Sequence, residues 1–187
     1  MRVIAGVARR ILLAAPRGLS TRPTSDRAKE GLFNMLANRL PGARFLDLFC
    51  GSGAMGIEAL SRGAHEAVFV DNAKSALDAV QENLTKTRLT DNAHVLGKSV
   101  QKAIEQLAQV NRQFDMIFLD PPYDLNGTRH MVQTLESLAA SSLLADGGVI
   151  VAETDAKIAP DAVPPFVCAG TRSYGRTCFL FYERGVS

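Results

Sequence analysis

The chain has 187 residues and a mass of 20.1 kDa, which is the size of one domain that buries about 70% of its unfolded-chain surface. Its hydrophobic share of 47%, charged share of 21% and net charge of +2 are ordinary for a globular protein. No apolar stretch approaches the ~20 residues of a membrane helix or the ~7–15 of a secretory signal, so we expect a cytoplasmic protein with no membrane partner.

The N-terminal segment is predicted to be a basic hairpin. Two short strands, at residues 2–5 and 10–14, flank Gly6. The first 25 residues contain five arginines and no acidic residue, which leaves 16 basic and 19 acidic residues for the rest of the chain. A basic segment on a mildly acidic body indicates contact with phosphates, although a solvated loop explains the same arginines equally well.

The rest of the chain alternates between helices and strands. A helix capped by Thr24 or Ser25 is predicted to carry an apolar residue at every fourth position over residues 28–40. Strands are predicted at residues 45–49, 67–70, 94–96, 114–119, 149–152, 166–169 and 177–182, and helices at residues 54–62, 75–87, 100–110 and 128–138. This order favours an α/β domain over residues 24–187, with a parallel sheet, an antiparallel last edge and residues 1–23 as a separate arm.

A glycine-rich loop joins the first strand of this domain to its helix. Gly51 and Gly53 allow a sharp turn and a close approach of the backbone to a ligand, and Gly56 allows tight packing of the helix on the strand. Asp71 ends the next strand 20 residues after Gly51, at the usual offset of an acid that binds ribose hydroxyls. The alternative is a structural turn without a ligand.

Two cofactors fit such a loop, a nicotinamide dinucleotide and S-adenosylmethionine (AdoMet), because both place an adenosine there. Asp47 adds a negative charge at the strand end, which suits the ammonium group of AdoMet better than a pyrophosphate. The chain also has no room for the substrate domain that dehydrogenases usually carry. We therefore expect AdoMet, and an NAD-dependent reductase is the alternative from another functional class.

A second motif follows the apolar run at residues 116–119. Asp120, Pro121, Pro122 and Tyr123 place a carboxylate, a rigid turn and an aromatic ring at a strand end, where ligands bind in open α/β sheets. The combination suits a flat, conjugated amine that donates one hydrogen to Asp120 and the other to a proline carbonyl, with Tyr123 stacked on the ring. An ordinary turn after a strand is the alternative.

No metal site is predicted. The three cysteines, Cys50, Cys168 and Cys178, match no zinc-binding spacing. The three histidines are scattered through different segments, and side chains in the core or on the surface explain them without a metal.

With both motifs in view, the chain resembles the class I AdoMet-dependent methyltransferases, and more narrowly the bacterial guanine-N2 methyltransferases of small-subunit (16S) ribosomal RNA. The resemblance covers nearly the whole chain, through residues 2–6, 21–27, 32–34, 46–53, 58–64, 120–123 and 174–175. The Arg-Pro-Thr-Ser-Asp-Arg segment is its narrowest marker. It implies a seven-stranded Rossmann-like sheet whose strand 7 is antiparallel.

The resemblance also implies the residues of the site. The target base would lie at Asp120, Pro121, Pro122 and Tyr123, and AdoMet at Asp47, Phe49, Gly51, Ser52, Gly53, Asp71, Asn72, Ser99 and Thr24. The expected RNA-binding residues are Arg9, Arg10, Arg17, Arg22 and Arg27. One departure is Gly97-Lys98, where such enzymes often have Gly-Asp, so we expect Ser99 or the backbone to contact the adenine.

The expected partner is ribosomal RNA within an assembled or partly assembled small subunit, and we expect the enzyme to act as a monomer. The nearest alternative is an adenine-N6 methyltransferase acting on DNA, because that reaction uses the same Asp-Pro-Pro-Tyr motif. Sequence-specific DNA enzymes usually add a recognition domain, and we expect none in this protein.

Overall fold

A computed structural model describes residues 1–17, 24–122, 129–155 and 163–185. Within these residues the strands are β1 Arg44–Leu48, β2 Glu66–Asp71, β3 Ala93–Gly97, β4 Phe114–Leu119, β5 Leu144–Asp155, β6 Phe166–Tyr174 and β7 Thr177–Arg184. The α-helices are α1 Asp26–Met35, α2 Ala54–Ser61, α3 Lys74–Thr87, α4 Val100–Gln109 and α5 Arg129–Ala139. None of these helices is both long and apolar enough to cross a membrane.

The strands form one seven-stranded sheet in the order β3-β2-β1-β4-β5-β7-β6. Strands β1 to β5 are parallel, and β7 is antiparallel to both of its neighbours. The strand order reverses between β1 and β4, and this reversal opens a crevice beyond the carboxyl ends of the parallel strands. The predicted α/β fold with an antiparallel last strand is therefore confirmed.

Helices cover both faces of the sheet and bury two apolar cores. One core contains Phe33 of α1 and Val80 of α3, and the other contains Ile104 of α4 and Leu135 of α5. The last four residues of β4, Met116 to Leu119, are therefore buried whichever face their side chains point to. This double burial explains why the strand is continuously apolar in sequence.

Helix α1 begins where the sequence predicts but ends earlier. The Ser25 side chain accepts a hydrogen bond from the Ala28 N–H at 3.1 Å, which caps the helix. After Met35 the chain tightens into a 3₁₀ turn over Ala37–Arg39, a common way for a helix to end. Leu40 is still fully buried, so the apolar pattern continues although the α-helix does not.

The N-terminal segment pairs with itself over a shorter length than predicted. An antiparallel bridge joins Arg2 to Leu12, and the Val3 N–H donates to the Ile11 carbonyl at 2.9 Å. Instead of extending this ladder, the N–H groups of Ile4 and Ala5 donate to a side chain of α2. The two continuous strands of the prediction are therefore reduced to a bridge.

Strand β5 begins earlier than the sequence indicates. The sequence predicts this strand over residues 149–152, but residues 145–148 also lie within β5. Gly147 has a φ of +70°, and the register with β4 shifts between Phe114 and Met116. A bulge of this kind lets the ladder continue past a glycine pair that would otherwise end it.

Candidate active site

Four acidic side chains lie near the carboxyl ends of adjacent parallel strands. Asp47 is in β1, Asp71 ends β2, Asp120 follows β4 directly, and Glu153 is in β5. Because β2, β1, β4 and β5 are consecutive neighbours in the sheet, the glycine loop and the Asp120 turn open into one crevice. The charges of Asp47 and Glu153 both act on the Asp120 carboxyl.

The glycine loop turns sharply between β1 and α2. Gly51 and Gly53 have φ values of +53° and +74°, which residues other than glycine rarely adopt. A Cβ on Gly53 would lie 3.2 Å from the Val80 side chain. A Cβ on Gly56 would lie only 2.3 Å from the Phe69 ring, which confirms that this glycine is needed for the packing of α2 on β2.

The Asp71 carboxylate holds the end of this loop. One of its oxygens accepts a hydrogen bond from the Gly51 N–H at 3.0 Å, and the other accepts from the Ala73 N–H at 2.9 Å. Asp71 is half-buried, so each oxygen retains capacity for a further donor. The carboxylate is thus fixed in place beside the glycine turn.

Asp47 is buried near the carboxyl end of β1, beside the glycine loop. Its Oδ2 accepts a hydrogen bond from the Gly56 N–H at 2.9 Å, within the first turn of α2. Burial, reinforced by the charge of Asp71 and opposed by the Gly56 hydrogen bond, raises the pKa of Asp47 to about 8. A ligand with a positive charge near Asp47 would therefore stabilise the ionised form of this carboxyl.

Asp120 begins the second motif, directly beyond β4. Burial and then the charges of Glu153 and Asp47 raise its pKa well above the ordinary value. Pro121 is buried and Pro122 is exposed, so the turn leaves the sheet at once. Tyr123, the last residue of the motif, lies outside the described residues.

Glu153 is a buried acid of the crevice that sequence reasoning did not identify. Its Oε2 accepts a hydrogen bond from the Thr24 hydroxyl at 2.6 Å, and it also bonds to the Thr177 side chain. Burial raises the pKa of Glu153, and these two hydrogen bonds lower it in part. Thr24, predicted as a cofactor contact, therefore joins the start of α1 to the end of β5.

The other predicted cofactor residues line the same edge. Phe49 has a φ of +61°, an unusual conformation for a residue with a side chain. Ser52 is buried in the loop, and Asn72 is exposed directly after Asp71. Ser99 stands at the N-cap of α4 and makes no capping hydrogen bond with its side chain, so its hydroxyl is available to a ligand.

Four of the five predicted RNA-binding arginines lie within the described residues, and all four are exposed. Arg9 and Arg10 are exposed in a turn whose Val7 N–H donates to the Ser61 carbonyl at 2.9 Å, at the end of α2 remote from the glycine loop. Arg17 and Arg27 are also exposed, whereas Arg22 lies outside the described residues.

Sequence reasoning missed a buried ion pair that fastens the N-terminal segment to α2. Glu58 is fully buried, and its oxygens accept from the Ile4 and Ala5 N–H groups at 2.8 and 3.0 Å. The Lys29 Nζ lies 3.4 Å from Glu58 and donates to the Arg2 carbonyl at 2.7 Å. The sequence signal available was an acid in a helix that is otherwise apolar or small.

Asn83 is a second missed residue, and it reaches the glycine loop. Its side chain accepts from the Ala14 N–H at 2.7 Å and donates to the Ala14 carbonyl at 2.9 Å. The same amide group also donates to the Ser52 carbonyl at 2.9 Å. This buried amide therefore ties the N-terminal segment and the glycine loop to α3.

The comparison with known proteins gives a consistent result. The family model described as "Conserved hypothetical protein 95" matches residues 1–183. The chain belongs to this family. It is 38% identical to the "Putative rRNA methyltransferase YlbH" of Bacillus subtilis over 98% of this chain and 99% of that protein.

Two further similarities concern Escherichia coli. The chain is 34% identical to "Ribosomal RNA small subunit methyltransferase D" over 98% of this chain and 90% of that protein. Its structure superposes on that of "Putative methyltransferase yhhF" with a TM-score of 0.83 and 30% identity, over 98% of this chain and 97% of the other. Family membership confirms the predicted methyltransferase class and its cofactor, AdoMet.

The described residues fit a cationic cofactor. None of the ion pairs among them involves the four acids of the crevice. Burial disfavours the ionised forms of Asp47, Asp120 and Glu153, and a positively charged ligand would favour them. A Cβ on Gly51 would meet no protein atom within 4 Å, which leaves room beside the turn. AdoMet carries a sulfonium and an ammonium group and meets both conditions.

Proposed function

We propose that this protein methylates the exocyclic N2 amine of a guanine in small-subunit ribosomal RNA. The coarser activity, AdoMet-dependent methylation of ribosomal RNA, follows from its family and relatives. The observation that supports the finer assignment is the Asp120 carboxyl, which begins an Asp-Pro-Pro turn beside the cofactor crevice and has no hydrogen-bond donor among the described residues.

In this proposal the β1–β2 side of the crevice holds AdoMet. The cofactor supplies a methyl group on a sulfonium, which is already a strong methyl donor. Asp71 binds the ribose hydroxyls, Asp47 faces the ammonium group, and the backbone of the Gly51–Gly53 turn lies against the cofactor. Phe49, Ser52, Asn72, Ser99 and Thr24 complete this set. The chain mainly contributes position and exclusion of water.

The β4–β5 side holds the amine. The lone pair of guanine N2 is delocalised into the ring, so the amine is a poor nucleophile. Its two hydrogens donate to the Asp120 carboxylate and to the carbonyl of Pro121 or Pro122, which favours a pyramidal nitrogen whose lone pair points at the methyl group. Tyr123 stacks on the extruded base, a contact worth about 1–3 kcal/mol on other nucleic-acid platforms.

The reaction releases one proton. Bound AdoMet would supply the methyl carbon to the nitrogen and would keep the electron pair of its sulfur–carbon bond on sulfur. The methylated nitrogen would then carry a positive charge, and Asp120 would accept its proton. The raised pKa of Asp120 suits it to hold that proton, and a cationic cofactor in the crevice favours the ionised carboxylate beforehand.

The RNA substrate would be bound by the predicted arginines Arg9, Arg10, Arg17, Arg22 and Arg27. Little of the chain lies outside the methyltransferase fold, so we propose that an assembled or partly assembled small subunit supplies part of the specificity. The enzyme is proposed to act as a monomer.

The experiment that tests this proposal is transfer of a tritiated methyl group to small subunits, and to protein-free small-subunit RNA, from a strain that lacks the enzyme. Label recovered as N2-methylguanine supports the proposal. Label recovered as N6-methyladenine favours the adenine alternative, and no label on either substrate overturns the assignment. Preference for the particle over free RNA supports the assembled-subunit partner.

A further inference from the structure

The hairpin tip at residues 172–176, between β6 and β7, lies at the same edge of the sheet as Asp120. Because β7 is antiparallel to β5, it begins at the edge where β5 ends. In the register, Phe179 of β7 pairs with Glu153 on one side and with Arg172 on the other. Neighbouring strands are ~4.8 Å apart, so the backbone of Arg172 lies roughly 10 Å from that of Glu153.

The tip is fixed against α1. The Tyr174 ring fills the notch left by Gly31, where a Cβ would lie 2.3 Å from its Cζ. The same ring packs on Phe179, with the ring centroids 6.1 Å apart. Gly175 makes the turn with a φ of +65°. Side chains on this tip are therefore presented at a defined position and not on a loose loop.

The tip presents two exposed arginines. Arg172 and Arg176 are both exposed, and neither forms an ion pair with another described residue. Within the part of the chain that the structure describes, the Arg172 guanidinium donates only to the carbonyl of its neighbour Thr171, at 2.7 Å. Asp155, which pairs in register with Thr177, is the acid beside the tip, so the local charge stays positive.

We propose that this tip is an RNA-binding surface that grips the phosphates next to the target nucleotide through Arg172 and Arg176. The inference rests on the proposed function, since it takes RNA as the occupant. An extruded base in the crevice leaves its neighbouring phosphates at the rim, and the tip forms the β7 side of that rim. Arg9 and Arg10 lie at the far end of α2 and would contact a different part of the RNA.

The test compares two double variants that each remove two arginine charges. R172Q/R176Q alters the tip, and R88Q/R184Q is the matched control. Arg88 follows α3 and Arg184 ends β7, so both are exposed at the opposite edge of the sheet. Binding to small-subunit RNA from a strain lacking the enzyme is measured from low to high salt, with AdoMet affinity and thermal melting as checks on folding.

Loss of two phosphate contacts should reduce the slope of log affinity against log salt by about 1.4–1.8. We expect this for R172Q/R176Q, with about tenfold weaker RNA binding at moderate salt and unchanged AdoMet affinity. A slope and an affinity equal to those of R88Q/R184Q would overturn the proposal. If the unaltered enzyme methylates guanine N2 while the tip variant binds normally, only the tip assignment fails. If the unaltered enzyme binds no RNA, both proposals fail.

Discussion

The two sides of the crevice hold their carboxylates in different ways. On the β1–β2 side, Asp71 and Asp47 accept hydrogen bonds from backbone N–H groups at 2.9–3.0 Å. On the β4–β5 side, Glu153 is held by side-chain hydroxyls, and the Asp120 carboxyl has no donor among the described residues. The first side is organised before a ligand arrives, whereas the second leaves a hydrogen-bond acceptor free for the substrate.

The strongest test of this difference is Asp120→Asn. The amide can no longer take up the proton and presents a donor where an acceptor is needed, so methyl transfer should fall by ~10³-fold or more. AdoMet affinity, measured by calorimetry, should stay within about threefold, because the cofactor side is intact. Near-normal transfer would remove Asp120 from the mechanism.

On the cofactor side, Gly53→Val should weaken AdoMet binding by ~100-fold or more, which corresponds to about 2.7 kcal/mol. Its Cβ would lie 3.2 Å from Val80, and the φ of +74° disfavours a branched side chain. The matched control is Gly42→Val, because Gly42 has a φ of +77° and its Cβ would meet no atom within 4 Å. If both variants lose AdoMet affinity equally, the loss comes from general backbone strain, and the glycine loop is not shown to contact the cofactor.

Asp47→Asn should separate cofactor binding from stability. The folded carboxyl has a pKa of about 8 against an ordinary value of 3.8, so the native state binds more protons between these pH values. Its contribution to stability is full below pH 3.8 and is lost as the pH rises toward 8. The cofactor-free variant should therefore be more stable than the natural protein at pH 8, by about 2 kcal/mol or roughly 4–8 °C in Tm.

The same Asp47 variant should bind AdoMet about tenfold more weakly, since the ammonium group loses an ionised partner. Calorimetric melting at pH 5 and pH 8, with and without AdoMet, measures both effects. Equal Tm differences at the two pH values would show that the buried carboxyl does not titrate as described.

The smallest effect should come from Glu153→Gln. Its negative charge raises the pKa of Asp120, so its removal lowers that pKa and moves the acidic limb of the kcat/KM profile to lower pH. We expect only a several-fold change in rate at neutral pH. Glu153→Asp keeps the charge and should leave the acidic limb in place. If the limb does not move in either variant, the role of Glu153 is limited to its hydrogen bond with Thr24.

The parts of the site that the sequence predicts are those built from nearby residues. The Gly51 N–H meets a carboxylate 20 positions away, and the Gly56 N–H meets one nine positions away. Strand β4 can also be predicted from the sequence, because burial on both faces requires an unbroken apolar run. Local spacing therefore predicts the cofactor loop and the strand that presents Asp120.

The parts that the sequence does not predict depend on distant partners. Glu153 meets Thr24 across 129 positions, Asn83 meets Ala14 across 69, and Glu58 meets Ile4 across 54. Each is a polar residue in a segment that otherwise reads as an ordinary helix or strand. Only the assembled sheet shows that their side chains are buried against another part of the chain.

The Glu58 arrangement also bears on how the basic turn can be studied. A chain shortened by its first five residues would uncover the carboxylate and leave the Lys29 ammonium without the Arg2 carbonyl. A hydrogen bond to a charged group typically contributes about 1.5–3 kcal/mol, so losing these three bonds would remove a large share of the stability of a domain. The turn that carries Arg9 and Arg10 is thus held in place by hydrogen bonds to α2. We expect a free peptide of that sequence not to adopt the same conformation.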